Sequence, residues 1–166
     1  MDIEKSTRHQ KIIGDFGESV LLNWLSRSGF EVCHIDHTGL DIIAYHPATK
    51  KRLGITVKSR TRNIGKENTN VNILSYQKGK NDRQKLLNAC RVFACEPYLA
   101  VYVEILNSAD LYITSLAHYD KKYKLGEEHA LDDWKMGKKY TEAYDKDPDV
   151  KHVRMDFHTT NWEWLS

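Results

Sequence analysis

Asp41 and Lys58 are the residues whose types and positions most favour chemistry. Asp41 opens the mostly apolar run 41–45, and Lys58 stands near the end of the run 52–62. A carboxylate at such a position can hold a divalent cation, and an ammonium group can stabilise the charge that develops when a phosphodiester is attacked. Residue types and positions alone thus show an acid and a lysine on two neighbouring runs of the chain.

The two runs that carry these residues predict a β-hairpin. Residues 39–45 and 52–62 are rich in β-branched side chains, and the connection between them contains Pro47. Such a pattern is typical of paired strands. Because side chains alternate along a strand, Ile55 and Val57 share an apolar face. The opposite face is polar and mostly cationic and contains Thr56, Lys58, Arg60 and Arg62.

A helix predicted over residues 11–28 could bring a second carboxylate, Glu18, to this hairpin. Apolar side chains recur along it at helical spacing. Leucines follow Glu18 at i+3, i+4 and i+7, so its own sector of the helix is apolar. A carboxylate is unfavourable there unless it meets a cation. The alternative is that Glu18 lies at the margin of the helix and reaches water.

The order of these parts resembles the PD-(D/E)XK nuclease superfamily, the restriction-endonuclease-like fold, and within it the small resolvase-like members. The family pattern is an acidic residue on a helix, an Asp that opens a strand, and an acidic-x-Lys sequence on the next strand. Glu18, Asp41 and Lys58 match this pattern. Thr56 stands where the family usually has Glu or Asp. The resemblance covers residues 11–106.

The resemblance implies an α/β fold in which helices flank a mixed β-sheet, with a C-terminal α+β elaboration. We expect residues 1–114 to form the nuclease-like core and residues 115–166 to form an elaboration packed on the same domain. Within the elaboration, the sequence predicts a polar helix around residues 131–144 and a strand over residues 150–158. The apolar run 98–106 predicts a central strand of the sheet.

The resemblance also implies metal-dependent cleavage of phosphodiester bonds in DNA, including structured or branched DNA, while RNA stays open as a substrate. The implied cofactor is Mg²⁺ or Mn²⁺. Glu18, Asp41 and the carbonyl of Val57 would bind the metal, and Lys58 would orient the attacking water or stabilise charge. Paired sites in the family suggest a homodimer.

Thr56 leaves three interpretations open. Glu18 could supply the missing carboxylate from the helix, or another acidic residue, such as Glu67 or Asp36, could reach the site. Alternatively, the domain has lost cleavage and is a catalytically inactive nucleic-acid-binding module. These alternatives arise because a neutral hydroxyl attracts a divalent cation less strongly than a carboxylate does.

The distribution of charge indicates a polyanionic partner. The net charge is only +2, but residues 42–95 hold 12 Lys/Arg against 2 Asp/Glu. Such a segment is typical of nucleic-acid binding, although it could also solvate exposed loops or bind an acidic protein. We expect six residues of this segment to contact nucleic acid: Arg60, Arg62, Lys66, Lys80, Arg83 and Gln84.

The remaining composition excludes several classes of protein. No run approaches the ~20 apolar residues of a membrane span, so we expect a cytoplasmic protein. Cys33, Cys90 and Cys95 lack C-x-x-C spacing, which argues against a disulfide framework or a zinc site. A metal pair of His34 and His37 is conceivable, but residues at i and i+3 of a strand face opposite sides. We therefore favour a loop or DNA-facing role for these histidines.

Overall fold

A six-stranded β-sheet lies at the centre of the computed structural model, which describes residues 3–77, 80–124, 132–159 and 162. The strands are β1 (Glu31–His37), β2 (Leu40–His46), β3 (Lys51–Arg62), β4 (Val71–Leu74), β5 (Tyr76–Gln77), β6 (Lys80–Asn81), β7 (Glu96–Ile105), β8 (Ser108–Ser115), β9 (Asp132–Trp134) and β10 (Lys151–Asp156). The helices are α1 (His9–Arg27), α2 (Asp82–Val92), α3 (Leu116–Lys122) and α4 (Lys138–Asp145). The central sheet has the strand order β1-β2-β3-β7-β8-β10.

The central sheet is mixed but mostly antiparallel. Only β3 and β7 run parallel to each other among its neighbouring strands. Parallel neighbours need a long crossover connection, and the one between β3 and β7 carries α2 and the short strands β4, β5 and β6. The prediction of a mixed sheet flanked by helices is therefore confirmed, and β7 is the predicted central strand.

Helices cover both faces of this sheet. α1 lies against β1, β2 and β3 on one face, whereas α2 and α3 pack on the other. The side chains of β7 alternate between the two cores, so that Leu99 and Val101 face α2 while Ala100 and Tyr102 face α1. A membrane-spanning length of apolar sequence is absent from every helix in the described ranges.

β2 and β3 form the predicted hairpin. Their antiparallel pairing starts beside the connecting turn and ends at the pair Ile42–Ile55. Ile55 and Val57 are buried under α1, as the alternation of side chains predicted. Lys58 is half-buried and, by the same alternation, points to the opposite face.

The C-terminal residues add strands to two sheets. β10 is an edge strand of the central sheet beside β8, and β9 pairs with β4. The helix predicted around residues 131–144 is wrong in its first half, because residues 132–134 form β9 and α4 begins only at Lys138; residue 131 lies outside the described residues. Trp134 and Met136 are both buried. Burial of every second residue is typical of a strand. The division of the chain at residue 114 stays a prediction.

Gly17 sets the distance between α1 and the sheet. A Cβ atom added at this position would lie 2.2 Å from Ser59 Oγ and 3.0 Å from Tyr102 Cβ. The first distance is too short for unbonded atoms and the second is tight, so glycine at this position lets the helix approach the sheet closely. Gly14 is on the same helix, but a Cβ atom added there would meet no such neighbour within 4 Å.

Gly17→Ala should lower the free energy of unfolding by about 1–3 kcal/mol, because the added methyl group overpacks α1 against β3 and β7. Gly14→Ala is the matched control and should raise it by about 0.5–1 kcal/mol, since alanine favours a helix over glycine. Denaturant unfolding followed by circular dichroism measures both effects. Equal stability of the two variants would contradict the close packing at Gly17.

His152 joins β10 to β8 and α4. Its Nε2 lies 2.8 Å from Asp110 Oδ1 on β8, and its Nδ1 lies 2.7 Å from Asp145 Oδ1 at the end of α4. The imidazole also stacks on Tyr112, with 4.3 Å between the ring centroids. Burial alone would lower the pKa of His152, but the hydrogen bonds and charges of the two carboxylates outweigh burial and raise it.

We expect His152 to stabilise the fold more strongly below about pH 6.5 than above it. Because its pKa is raised on folding, the stabilisation is fully present below the unfolded pKa and is lost as the pH rises through the folded pKa. The difference in unfolding free energy between the wild type and His152→Gln should therefore shrink with increasing pH. A difference that stays constant from acid to alkaline pH would contradict this interpretation.

Candidate active site

Asp41 occupies the place where β2 separates from β3. It lies one residue beyond the last pair of their ladder, Ile42–Ile55. Its Oδ2 accepts a hydrogen bond of 2.6 Å from the Val57 N–H and one of 3.1 Å from the Thr56 hydroxyl. A side-chain carboxylate thus takes the position of a main-chain acceptor, and the two strands are held together although their ladder has ended.

The carbonyl of Val57 points to the same region, the space between β2 and β3 beyond their last pair. The N–H and C=O groups of one residue in an extended strand point to the same edge of the strand. Since the Val57 N–H points to Asp41, the Val57 carbonyl points to the space between β2 and β3 beyond their last pair. Asp41 and this carbonyl therefore offer oxygen atoms to one region of the structure.

Glu18 approaches this region from α1 and is held there by a histidine. Its side chain is 19% exposed, and its Oε2 lies 2.5 Å from His34 Nε2 on β1. Burial raises the pKa of Glu18, the hydrogen bond from His34 opposes the rise, and the negative charges of Asp41 and Asp15 add to it. Glu18 and Asp41 are thus near enough to repel each other, and a bound cation would relieve that repulsion.

Lys58 and Thr56 complete the hairpin side of the site. The Lys58 side chain is half-buried and makes no hydrogen bond or ion pair with any described residue. The Thr56 side chain is buried, and its hydroxyl donates to Asp41. Lys58 therefore keeps its ammonium donors available for an anionic group.

Two arginines extend positive charge along the end of β3. Arg60 is exposed and donates to the carbonyl of Ser59, whereas Arg62 is half-buried and donates to the carbonyl of Asn70. Burial lowers the pKa of Arg62, and the neighbouring charge of Arg60 lowers it further. An anion bound between the two guanidinium groups would reduce their mutual repulsion.

The other predicted contacts are spread over the loop after β3 and the start of α2. Lys66 is exposed in that loop, and Gln84 is exposed in the first turn of α2, where its amide donates to Asn88. The side chain of Asn81 caps this helix by accepting from the Gln84 N–H at 3.0 Å. The side chain of Lys80 lies outside the described residues.

Arg83 makes a different set of contacts from those of the other predicted cations. Its guanidinium pairs with Asp120 on α3 at 2.7 Å and with Asp132 on β9 at 2.9 Å. Four of its five N–H donors are used in these pairs, and the pKa of Arg83 is raised because the pairs outweigh its burial. A phosphate contact by Arg83 stays a prediction, and the phosphate would have to compete with both carboxylates.

The two alternative acidic residues have different surroundings. The carboxylate of Glu67 accepts from the Gly65 N–H at 2.8 Å, and backbone hydrogen bonds lower the pKa of Glu67. Glu67 thereby stabilises its own turn. Asp36 is exposed near the end of β1. Glu18 is the acidic residue whose charge interaction with Asp41 the structure records.

A second group of side chains of the types that bind metal ions lies in the C-terminal region. Ligand atoms of His118, Asp147 and Asp149 lie within 4.8 Å of one another. However, Asp147 already accepts from Lys122 at 2.7 Å, from the Tyr123 hydroxyl and from His118 at 2.8 Å. These donors outweigh burial and hold the pKa of Asp147 well below its usual range. The group is therefore a satisfied ion-pair network.

The donor set around Asp41 fits a hard divalent cation. Two carboxylates, Glu18 and Asp41, and the carbonyl of Val57 are oxygen ligands of the kind that Mg²⁺ prefers, and Mg²⁺ keeps several waters besides.

The sequence did not predict the contact between His34 and Glu18. The only available signal was that the helix and β1 are consecutive elements, which allows their side chains to meet.

Comparison with known proteins identifies the fold. No protein-family model matches this sequence, and no curated protein matches it either. Among solved structures, the chain is similar to Hjc, a Holliday junction resolvase from the archaeal hyperthermophile Archaeoglobus fulgidus. The TM-score is 0.51 at 17% sequence identity, and the match covers 78% of this chain and 88% of the resolvase chain. The chain thus has the same fold as that resolvase, and the predicted fold class is confirmed.

Arg83→Met should lower the free energy of unfolding by about 2–3 kcal/mol. The change removes four hydrogen bonds from two carboxylates, of which Asp132 keeps an ion pair with Lys124 at 3.9 Å. Lys66→Met is the matched control, since Lys66 is an exposed cation, and it should change stability by less than about 0.5 kcal/mol. Chemical unfolding of both variants checks this difference. Arg83→Met as stable as Lys66→Met would contradict a structural role for the Arg83 pairs.

Proposed function

We propose that this protein is a metal-dependent nuclease that hydrolyses phosphodiester bonds in DNA. The observation that carries the proposal is the arrangement at the hairpin. Two mutually repelling carboxylates, Glu18 and Asp41, lie in a fold similar to that of a resolvase, and β3 bears Lys58, which pairs with no residue in the described part of the chain. Repelling carboxylates suit a divalent cation, and an unpaired ammonium group suits a phosphate oxygen.

The residues of the chain have separable roles in this mechanism. A divalent cation held by Glu18, Asp41 and the Val57 carbonyl would supply Lewis acidity toward the phosphate and a water of lowered pKa. Lys58 donates to the attacking water or to a phosphate oxygen and so stabilises negative charge in the transition state. The Val57 N–H and the Thr56 hydroxyl fix the Asp41 carboxylate, which leaves its other oxygen to face the site.

Branched DNA is the substrate class that we propose for this site. Arg60 and Arg62 project positive charge from the end of β3, and Lys66 continues it into the following loop. Contacts of this type bind the phosphate backbone and do not read base sequence. The similar solved structure is that of a Holliday junction resolvase, which favours a substrate recognised by shape. A homodimer would present two such sites to one junction.

Thr56 supports a second candidate, a nucleic-acid-binding module without cleavage. Its hydroxyl donates to Asp41, so the position contributes no negative charge toward a metal. The cationic end of β3 would then be the functional part of the surface. This candidate predicts binding in the presence of a chelator, with an affinity that falls steeply as salt increases.

The nuclease proposal is tested with a four-way DNA junction in Mg²⁺ or Mn²⁺. Lys58→Ala should lower the cleavage rate by at least about a hundredfold, because charge stabilisation in the transition state is lost, while the affinity for DNA changes little. Asp41→Asn should remove both cleavage and metal binding in calorimetry. The amide keeps an acceptor for the Val57 N–H, so the strands stay joined.

Lys121→Ala, which changes an exposed lysine of α3, is the control and should cleave as the wild type does. Equal activity of the wild type and Lys58→Ala would assign the cleavage to a contaminant and overturn the proposal. Salt-dependent binding by a wild type that never cleaves would establish the binding module. Cleavage rates on a linear DNA duplex and on an RNA junction, both of matched sequence, show whether shape and sugar chemistry select the substrate.

A further inference from the structure

Ile64 is an exposed apolar residue in the loop that follows the end of β3. It is 54% exposed, although β3 itself buries its apolar side chains under α1. A single exposed apolar residue is ordinary on a protein surface. The surroundings of Ile64 therefore decide whether it has a role.

Hydrogen bonds at both ends of the loop hold Ile64 in this exposed position. The Gly65 N–H donates to the Glu67 carboxylate at 2.8 Å, and the Lys66 N–H closes the turn that contains Ile64 at 3.1 Å. Gly65 has a φ of 80°, which glycine adopts without strain. The Arg62 guanidinium closes the base of the loop by donating to a carbonyl at its far end at 2.9 Å. The loop is therefore ordered before any ligand binds, which lowers the entropy cost of binding.

Three cations surround Ile64. Arg62 and Lys66 each stand two residues from it, and the Lys5 ammonium group donates to the Thr61 carbonyl at 3.0 Å, just before the loop. None of the three makes an ion pair with a residue in the described part of the chain. Unpaired cations suit phosphate groups, and an apolar side chain among them would meet the bases that lie between those phosphates.

We propose that Ile64 is a wedge that packs against the bases at the branch point of a DNA junction while the cations around it bind the adjoining phosphates. This inference rests on the proposed function. Apolar wedges, isoleucine among them, insert between base steps and partly unstack them. Insertion into a linear duplex has to break stacking, whereas stacking is already interrupted at a branch point. The wedge would therefore favour a junction over a duplex.

The distance between Ile64 and the candidate active site agrees with this role. Lys58 precedes Ile64 by six positions, and an extended chain rises by about 3.3 Å per residue, so the two residues are at most about 20 Å apart. This span corresponds to about six base pairs, less than one turn of the double helix. A wedge at the branch point would thus place a nearby phosphate at the candidate active site.

The test uses the full chain, a chelator that prevents cleavage, and a four-way DNA junction with aminopurine at the branch point. The fluorescence of this adenine analogue rises when the base loses its stacking. Wild-type binding should raise it, and Ile64→Ser should remove most of the rise. The same substitution should weaken junction binding about tenfold, the loss expected when an isoleucine side chain is no longer buried. Affinity for a linear duplex should change by less than about twofold, because the phosphate contacts remain.

Three variants serve as controls. Ile64→Leu keeps an apolar side chain and should keep the fluorescence rise. Val92→Ser, which changes an exposed apolar residue at the end of α2, should behave as the wild type does. Lys66→Met should weaken binding to junction and duplex alike, since a phosphate contact is common to both. Thermal unfolding of Ile64→Ser at the wild-type temperature would show that the variant is folded.

Wild-type binding without a rise in fluorescence would overturn the inference, and so would an Ile64→Ser variant that keeps the rise. Either result would make Ile64 an ordinary surface residue. The nuclease proposal would survive both results if cleavage still depended on Lys58. A wild type that binds neither junction nor duplex would overturn both proposals.

Discussion

The hydrogen bond from the Val57 N–H to the Asp41 carboxylate is the interaction on which the site depends. A buried main-chain donor needs an acceptor, and β2 no longer offers a backbone carbonyl once its ladder with β3 has ended at Ile42–Ile55. The carboxylate supplies that acceptor at 2.6 Å. The strands can therefore separate without leaving the donor unpaired, and the resulting gap exposes the Val57 carbonyl beside a negative charge.

The second carboxylate reaches the gap because the helix approaches so closely. Gly17 rests directly on Ser59 and Tyr102, which fixes both the height and the rotation of α1 over the sheet. The next residue, Glu18, is consequently turned toward β1 and meets His34. Packing in the core thus determines where a charged group lies at the surface, and a larger side chain at position 17 would displace Glu18 as well as destabilise the fold.

Local patterns predicted the hairpin, the helix α1 and the central strand β7, since each depends on side chains a few residues apart. The pattern of charge was less informative about contacts, because the partner of a charged side chain can lie far along the chain. Arg83 is one of twelve cations in its segment by sequence, yet the fold brings it to Asp120 and Asp132, 37 and 49 residues away. Strand alternation correctly separated His34 from His37, but it could not show that α1 would place Glu18 beside His34. The strand β9 was missed because three residues are too few for a reliable period.

Thr56 holds Asp41 by a hydrogen bond and adds no charge of its own. A carboxylate at that position would lie beside Asp41 and repel it, whereas the threonine hydroxyl donates to Asp41 and holds it in place. Asp41 is therefore fixed by its neighbours on β3, and the negative charge beside it comes from Glu18 on α1. Lys58 makes no ion pair with a described residue. Such a lysine is better suited to meet a phosphate than one neutralised by its own site.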